Sequence, residues 1–150
     1  MSGLHRFGGV VAFVLATVTP VAAQQAVPAG HIKTVSGAAF VLRQNATIAA
    51  KPGDAIFASD VLRTSTGGAI GVTLKDDTRI SLGSDSEVRI DRYVYAPGEG
   101  GMGMVLKFVR GVAVYVSGRI AKLAPDSIRL ESPAAIIGVR GTTLAIRVDS

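Results

Sequence analysis

The chain contains no cysteine, and this absence excludes several kinds of chemistry. Without cysteine there can be no disulfide, no thiol nucleophile and no lipid-bearing cysteine. Beyond the N-terminal segment His31 is the only histidine, so the sequence offers at most one imidazole for acid-base catalysis. We therefore expect a non-catalytic protein whose stability comes from the packing of its strands.

Aromatic residues are also scarce, at 5% of the chain, although basic residues outnumber acidic ones and the net charge is +5. A basic balance raises the question of nucleic acid or anionic surfaces. The cations are scattered among predicted turns and strand faces, so we expect no nucleic-acid partner. Attraction to anionic lipid or cell-wall polymer remains open.

The first 23 residues have the layout of a secretory signal peptide. His5 and Arg6 precede an apolar run over residues 7–18, which is shorter than the roughly 20 residues needed to span a bilayer. Small residues follow, and we expect cleavage between Ala23 and Gln24. An uncleaved membrane anchor is the alternative. Cleavage predicts a periplasmic or secreted protein with no stable membrane span.

After a lead over residues 24–31, the chain breaks into short β-type runs separated by glycine, aspartate, asparagine and proline. Residues 32–35 and 39–43 flank Ser36-Gly37, which predicts a hairpin. Residues 69–74 alternate cleanly, with Ile70, Val72 and Leu74 on one face. Further strands are predicted over residues 55–57, 61–64, 79–82, 87–91, 119–123, 127–131 and 143–148.

Glycines interrupt the pattern in two further places. Residues 98–103 contain four glycines and predict a mobile loop. Residues 105–116 are densely apolar; we expect Phe108, Val112, Val114 and Val116 to be central and Arg110-Gly111 to form a bulge. The whole pattern predicts one all-β domain over residues 32–148, an irregular β-roll, short β-solenoid or sandwich of about ten to twelve short strands.

The segment Gly138-Val139-Arg140-Gly141-Thr142 sets one cation between two glycines in an apolar run. Glycine within a strand pattern marks a bulge, a bend or a close backbone approach. Arg140 has two interpretations, a structural cation that binds carbonyls or an aspartate, and a donor to a partner's carboxylate. Gly138, Arg140, Gly141 and Thr142 are therefore the candidate structural or partner-binding residues.

Several short motifs occur in one order along the chain: Pro52-Gly53-Asp54, Asp60-Val61-Leu62-Arg63-Thr64, Asp77-Thr78-Arg79-Ile80, Leu82-Gly83, the run 111–118, and Gly138-Val139-Arg140-Gly141-Thr142. This ordered series resembles the FecR protein domain, over about residues 32–148. The resemblance implies an all-β module of the bacterial envelope. Full-length FecR regulators pass a signal from an outer-membrane siderophore receptor to a cytoplasmic sigma factor. The predicted signal peptide, in place of a cytoplasmic segment and a membrane span, leads us to expect the protein-binding or sensing module without direct sigma-factor control.

Other functions have little support in the sequence. Asp76-Asp77 and Asp85 with Glu87 are the close carboxylate pairs, and their turn or outer-face positions favour structural roles. No repeated acidic loop indicates a calcium site, and we expect no cofactor. The second functional candidate is a carbohydrate or cell-wall binding module, because Tyr93-Val94-Tyr95 could form an aromatic platform. For partner binding, the edge of the terminal strand over residues 143–148 is the candidate.

Overall fold

The computed structural model describes residues 26–137 and 143–149, together with three isolated glycines at positions 3, 8 and 9. The cleavage site at Ala23 and Gln24 lies outside the described residues. So does the segment that contains Gly138, Arg140, Gly141 and Thr142. The predictions made for these residues, and for the boundaries of the signal peptide and the domain, stay predictions.

Twelve strands make up most of the described chain, which confirms the all-β prediction. They are β1 (Gly30–Ser36), β2 (Ala39–Arg43), β3 (Ala46–Ala49), β4 (Ala55–Ile56), β5 (Val61–Thr64), β6 (Ala69–Leu74), β7 (Arg79–Leu82), β8 (Glu87–Ala96), β9 (Gly101–Val116), β10 (Ile128–Glu131), β11 (Ile136–Ile137) and β12 (Thr143–Val148). Helical structure in the described ranges is limited to α1 (Arg119–Leu123) and two single 3-10 turns, Pro97–Glu99 and Pro125–Ser127.

The strands form two hydrogen-bonded halves that share β9, so the whole is one curled sheet. The first sheet has the order β4-β1-β6-β7-β9-β12 and is antiparallel throughout. The second sheet has the order β3-β2-β5-β8-β9-β10-β11, with β10 parallel to β9 and every other pair antiparallel. Apolar side chains from both halves fill the space between them.

Strand β9 changes its partners where it passes from one sheet to the other. Its first part pairs with β8 up to Arg110, and residues 113–116 pair with β7. Between these parts Gly111 has a φ of 85°, in the left-handed region. The buried Ser86 holds this bend, because its Oγ accepts a hydrogen bond from the Val112 N–H at 2.9 Å. The predicted bulge at Arg110-Gly111 is therefore the corner of the fold.

The bulge also reverses which side chains of β9 face the core. Phe108 is buried as predicted, but Val112 and Val114 are 40% and 37% exposed. Ala113 and Tyr115 are buried in their place. The prediction for these valines was wrong because a bulge inserts one residue and shifts the alternation by one position.

The predicted hairpin of β1 with β2 is also wrong. β1 pairs with β4 and β6 in the first sheet, whereas β2 pairs with β3 and β5 in the second. The turn at Gly37 carries the chain across a corner, beside the connection from β5 to β6. Ser65 N–H donates to the Ala38 carbonyl at 3.0 Å, and a Cβ on Gly68 would collide with the same carbonyl. A glycine turn between two apolar runs thus joins strands of different sheets.

Two other local predictions differ from the structure. Residues 119–123, expected as a strand, form α1, and the Asp76 carbonyl accepts a hydrogen bond from the Arg119 N–H at 2.7 Å. Residues 98–103, expected as a mobile loop, form a tight β8–β9 connection in which Gly100 has a φ of 73° and Gly101 already pairs with Ala96. The strand β3, which the pattern did not indicate, is exposed along its length.

The predicted inner faces of the regular strands are confirmed. These strands alternate buried apolar and outward polar residues, as expected for half-buried β structure. The confirmed inner residues are Ile70, Val72, Leu74, Ile80, Leu82, Val88 and Ile90. Ile146 is buried as well, and Leu144 and Val148 pack against the core from β12.

Replacing Gly111 by alanine should destabilise the fold strongly. A Cβ at this position would collide with Ser86, and the positive φ adds backbone strain. We expect the free energy of unfolding, measured by chemical denaturation, to fall by about 2–4 kcal/mol. Gly53→Ala is the control, since Gly53 has a φ of 92° with no atom within 4 Å of an added Cβ. It should cost only about 1 kcal/mol. Equal losses at the two positions would contradict the role given to the corner.

Candidate partner-binding site

The predicted Gly138 to Thr142 segment is flanked by strands that belong to different sheets. β11 pairs with β10 in the second sheet, and β12 pairs with β9 in the first. Before β11, Ser132 and Ala135 close a turn in which the Ser132 N–H donates to the Ala135 carbonyl at 2.9 Å. Because β12 lies within the described residues, its exposed edge is the candidate partner-binding site.

β12 is an outermost strand, since β9 is its only partner within residues 26–137 and 143–149. The other outermost strands are β3, β4 and β11, of four, two and two residues. β12 has six residues and is the longest of these edges. A long unpaired edge is a template on which another chain can add a strand.

The hydrogen bonds of Val112 show which backbone groups of β12 point away from β9. Both its N–H and its carbonyl face the β7 side, toward Ser86 Oγ and the Gly83 N–H. Because the direction of these groups alternates along a strand, Ala113 faces its register partner Ile146. The neighbours Ala145 and Arg147 therefore present their N–H and carbonyl groups outward.

The outward side chains near the middle of this edge are small. On the outer face of the first sheet Ala145 lies opposite Val114, and Val114 lies opposite Ser81. The inward side chain Ile146 is 8% exposed and anchors the strand to the core. The edge is thus held in place by burial on one face, while on the other face Ala145 is followed by the exposed side chain of Arg147.

Two buried aspartates fix the loops around this framework. Asp60 accepts hydrogen bonds from Arg43 Nε at 2.9 Å and Nη2 at 2.7 Å, and from the Phe57 N–H at 2.8 Å. The hydrogen bond to Asp60 raises the pKa of Arg43, whose guanidinium also lies 4.5 Å from the Phe57 ring centre. This cluster ties the start of β5 to the end of β2.

Asp76 is the second buried aspartate and is fully enclosed. Its carboxylate accepts hydrogen bonds from Thr78 Oγ1 at 2.7 Å, Tyr93 OH at 2.9 Å and the Ile120 N–H at 3.2 Å. Burial first, and then the charge of Asp76, raises the pKa of Tyr93. The cluster joins the β6–β7 turn to β8 and α1.

The carboxylates that were weighed as catalytic pairs do not converge on one site. Asp76 is buried, whereas Asp77 is exposed and forms an ion pair with Arg119 at 3.2 Å. Asp85 accepts from Thr66 Oγ1 at 2.9 Å, and Glu87 pairs with Arg63 at 2.9 Å. Each carboxylate serves a separate structural contact.

The part of the chain that the structure describes contains no group of three or more His, Asp or Glu residues that could hold a metal ion. It also contains no helix with the length and hydropathy needed to cross a membrane. His31 lies exposed on β1. The proposed aromatic platform is only partly exposed, because both Tyr93 and Tyr95 are half-buried. The hydroxyl of Tyr93 also donates a hydrogen bond to Asp76.

Sequence reasoning missed the enclosure of Asp60 and Asp76. The signal available in the sequence was an aspartate at each of two turns that lie directly beside buried strands, at residues 59–60 and 75–78. Turn aspartates usually bond their own backbone and stay solvated. Only the tertiary structure brings Arg43 to Asp60 and Tyr93 to Asp76.

Comparison with known proteins gives one family match. A family model described as FecR protein matches residues 60–150, more than half of the chain. The match begins at the buried Asp60 and includes every strand from β5 onward. No curated protein and no solved structure gives a significant match.

Asp76→Asn should destabilise the protein, because the amide group brings a donor into a site where every partner already donates. One buried donor must then lose its acceptor, and the free energy of unfolding should fall by about 2–4 kcal/mol. The measurement is urea denaturation followed by circular dichroism.

Asp77→Asn is the matched control one position along the chain. Its side chain is 66% exposed, and its φ of 68° suits asparagine. We expect its melting temperature to stay close to the wild-type value. Similar losses for the two variants would mean that the hydrogen bonds of Asp76 do not matter for stability.

Proposed function

Because the chain belongs to the FecR protein family, we propose that it is an exported, non-catalytic module that binds a protein partner in the bacterial envelope. The family is a regulatory one associated with the envelope. The predicted cleavage between Ala23 and Gln24 would release the domain into the periplasm or outside the cell. A sensing role, in which binding reports a signal, is part of this proposal.

The observation that carries the proposal is the unpaired edge of β12. Ala145 and Arg147 direct backbone donors and acceptors outward, while Ile146 secures the strand in the core. Addition of a partner strand would satisfy these groups, and backbone hydrogen bonds of this kind supply affinity without needing a deep pocket. The adjoining Val112 and Val114 extend the contact onto the exposed face.

The arrangement of ionisable groups supports a non-catalytic role. General acid-base catalysis needs two titratable groups that face one substrate position. Asp60 and Asp76 are enclosed and hydrogen-bonded, and Glu87 is engaged by Arg63. These carboxylates make hydrogen bonds and ion pairs within the protein.

Carbohydrate or cell-wall binding is the second candidate, and one observation favours it. A cavity of about 230 Å³ is lined in part by Tyr93, Tyr95 and Pro28. Sugar binding usually relies on an exposed aromatic face that stacks on the ring. Both tyrosines are half-buried, so protein binding through β12 is the better supported function.

The edge can be tested with Ala145→Pro, which removes the outward N–H of Ala145 and leaves the hydrogen bonds to β9 in place. Proline is tolerated on edge strands when its nitrogen faces solvent. Envelope extract is passed over the immobilised wild-type protein, and a retained partner is identified, purified and remeasured by calorimetry. We expect Ala145→Pro to weaken its affinity at least about tenfold, since one backbone hydrogen bond and the strand path are lost.

Ala145→Ser is the matched control, because it changes the side chain but keeps the backbone N–H. Its affinity should equal that of the wild-type protein. Deleting residues 143–150 is a poorer test, since the deletion also removes Ile146 from the core. A partner that binds Ala145→Pro as tightly as wild type would exclude β12 as the site.

A further inference from the structure

The outer face of the second sheet carries a dense set of basic residues. We call it the basic face, and its charged members are Arg63, Glu87, Arg89, Asp91, Arg92, Lys107, Arg110, Arg129 and Glu131. Their neighbours Leu62, Val88, Leu106 and Leu130 point into the core, so alternation along the strands directs the charged side chains outward. Six of the nine are cations, which gives this face a net charge of +3.

Two cations on this face oppose each other directly. Arg89 on β8 is the register partner of Lys107 on β9. Like charges at directly opposed positions destabilise a sheet, because their side chains lie only about 5 Å apart at Cβ. Each of the two cations also has an acidic neighbour, Asp91 at 3.3 Å from Arg89 and Glu131 as the register partner of Lys107 on β10, so the repulsion between them is partly offset.

The acidic residues of the basic face do not neutralise all of it. Glu87 pairs with Arg63 and Arg110 at 2.9 and 3.9 Å, Asp91 with Arg89 at 3.3 Å, and Glu131 with Arg129 at 3.6 Å. Arg92 and Lys107 have no ion pair with any residue in the described ranges. Two of the three excess positive charges are therefore at these side chains, and the third arises because Arg63 and Arg110 share Glu87. Lys107 has Glu131 as its register partner on β10 but forms no ion pair with it.

The backbone presents Arg92 and Lys107 in defined positions. A bulge between Ile90 and Arg92 brings Arg92 to the surface. Its guanidinium lies over Gly103, where an added Cβ would be 3.2 Å from Arg92 Cζ. Lys107 borders a surface cavity of about 480 Å³ whose other wall is formed by residues 131–136. This cavity leaves room for an incoming side chain next to the ammonium group.

From this arrangement we propose that the basic face is a docking surface for an acidic segment of a protein partner, with carboxylates bound at Arg92 and Lys107. The proposal rests on the proposed function, and it names the chemistry of the partner. Arginine binds a carboxylate through two parallel hydrogen bonds, which favours a partner with fixed acidic positions. The half-buried Phe40, Leu42 and Val61 continue the same face and offer apolar contact beside the charges.

An anionic membrane is the other partner that a basic surface could bind, but the pattern of charges favours a protein. Glu87, Asp91 and Glu131 are interspersed among the cations, and they would be repelled by a continuous layer of anionic headgroups. A folded or extended protein segment can place its carboxylates at Arg92 and Lys107 alone. Charge complementarity thus selects an acidic protein surface.

The test is a comparison of two double variants that remove the same residue types. Arg92→Gln with Lys107→Gln lowers the net charge of the basic face from +3 to +1. Arg79→Gln with Lys122→Gln removes one arginine and one lysine that line a cleft beside α1. The probe is a fluorescent peptide of alternating glutamate and threonine, measured by anisotropy. We expect the first variant to bind about tenfold more weakly than wild type and the second to bind within about twofold. A glutamine and threonine peptide should not bind.

Stability separates lost binding from lost folding. Lys107 has Arg89 opposite it on β8 and Glu131 opposite it on β10, so its neutralisation removes one repulsion and one attraction. Arg92→Gln with Lys107→Gln should therefore melt close to the wild-type temperature. Weaker binding by a protein that melts no earlier would support docking at the basic face. Equal weakening by both double variants would reduce the effect to general electrostatics and overturn the proposal.

Two further outcomes would also overturn it. One is binding of the wild-type protein to vesicles of phosphatidylethanolamine and phosphatidylglycerol without binding to the acidic peptide, because the surface would then be a lipid surface. The other is an envelope partner whose affinity depends on the N–H of Ala145 but is the same for wild type and for Arg92→Gln with Lys107→Gln. That result would leave the proposed function standing and remove only the basic face from it.

Discussion

The bend of β9 at Gly111 is the constraint on which the rest of the fold depends. One strand belongs to both sheets, so the position of every other strand is set by where β9 turns. Ser86 closes the bend through the backbone of Val112, and no side chain at position 111 could replace the glycine without a collision. The same bend separates the two proposed binding surfaces, the edge of β12 on the first sheet and the basic face on the second.

Buried carboxylates complete this framework. Asp60 and Asp76 each gather donors from segments far apart in the sequence, and each fixes loops that the strands alone would leave loose. A carboxylate that already accepts three or more hydrogen bonds is satisfied inside the fold and does not need a ligand. Outside these two clusters, cations outnumber carboxylates on the outer face of the second sheet by six to three.

Much of the fold could be predicted from the sequence, because alternation reports the buried face wherever a strand is regular. Ile70, Val72 and Leu74 are examples. Alternation fails after a bulge, which is why Val112 and Val114 were misplaced, and it cannot say which strands pair, which is why β1 and β2 were wrongly joined. The basic face depends on register between β8 and β9, so the opposition of Arg89 and Lys107 could not be read from the chain. The Gly138 to Thr142 segment led to the family, while its own role stays a prediction.

The most direct test of the β12 edge is residue-resolved hydrogen exchange by NMR, in the isolated protein and with its partner. In the isolated protein the amides of Leu144 and Ile146, which face β9, should exchange slowly, and those of Ala145 and Arg147 should exchange fast. Binding of the partner should slow hydrogen exchange at the amides of Ala145 and Arg147. The exchange rates of the β9 amides should not change. Equal protection of all four amides in the isolated protein, or no change at Ala145 and Arg147 on binding, would contradict the account.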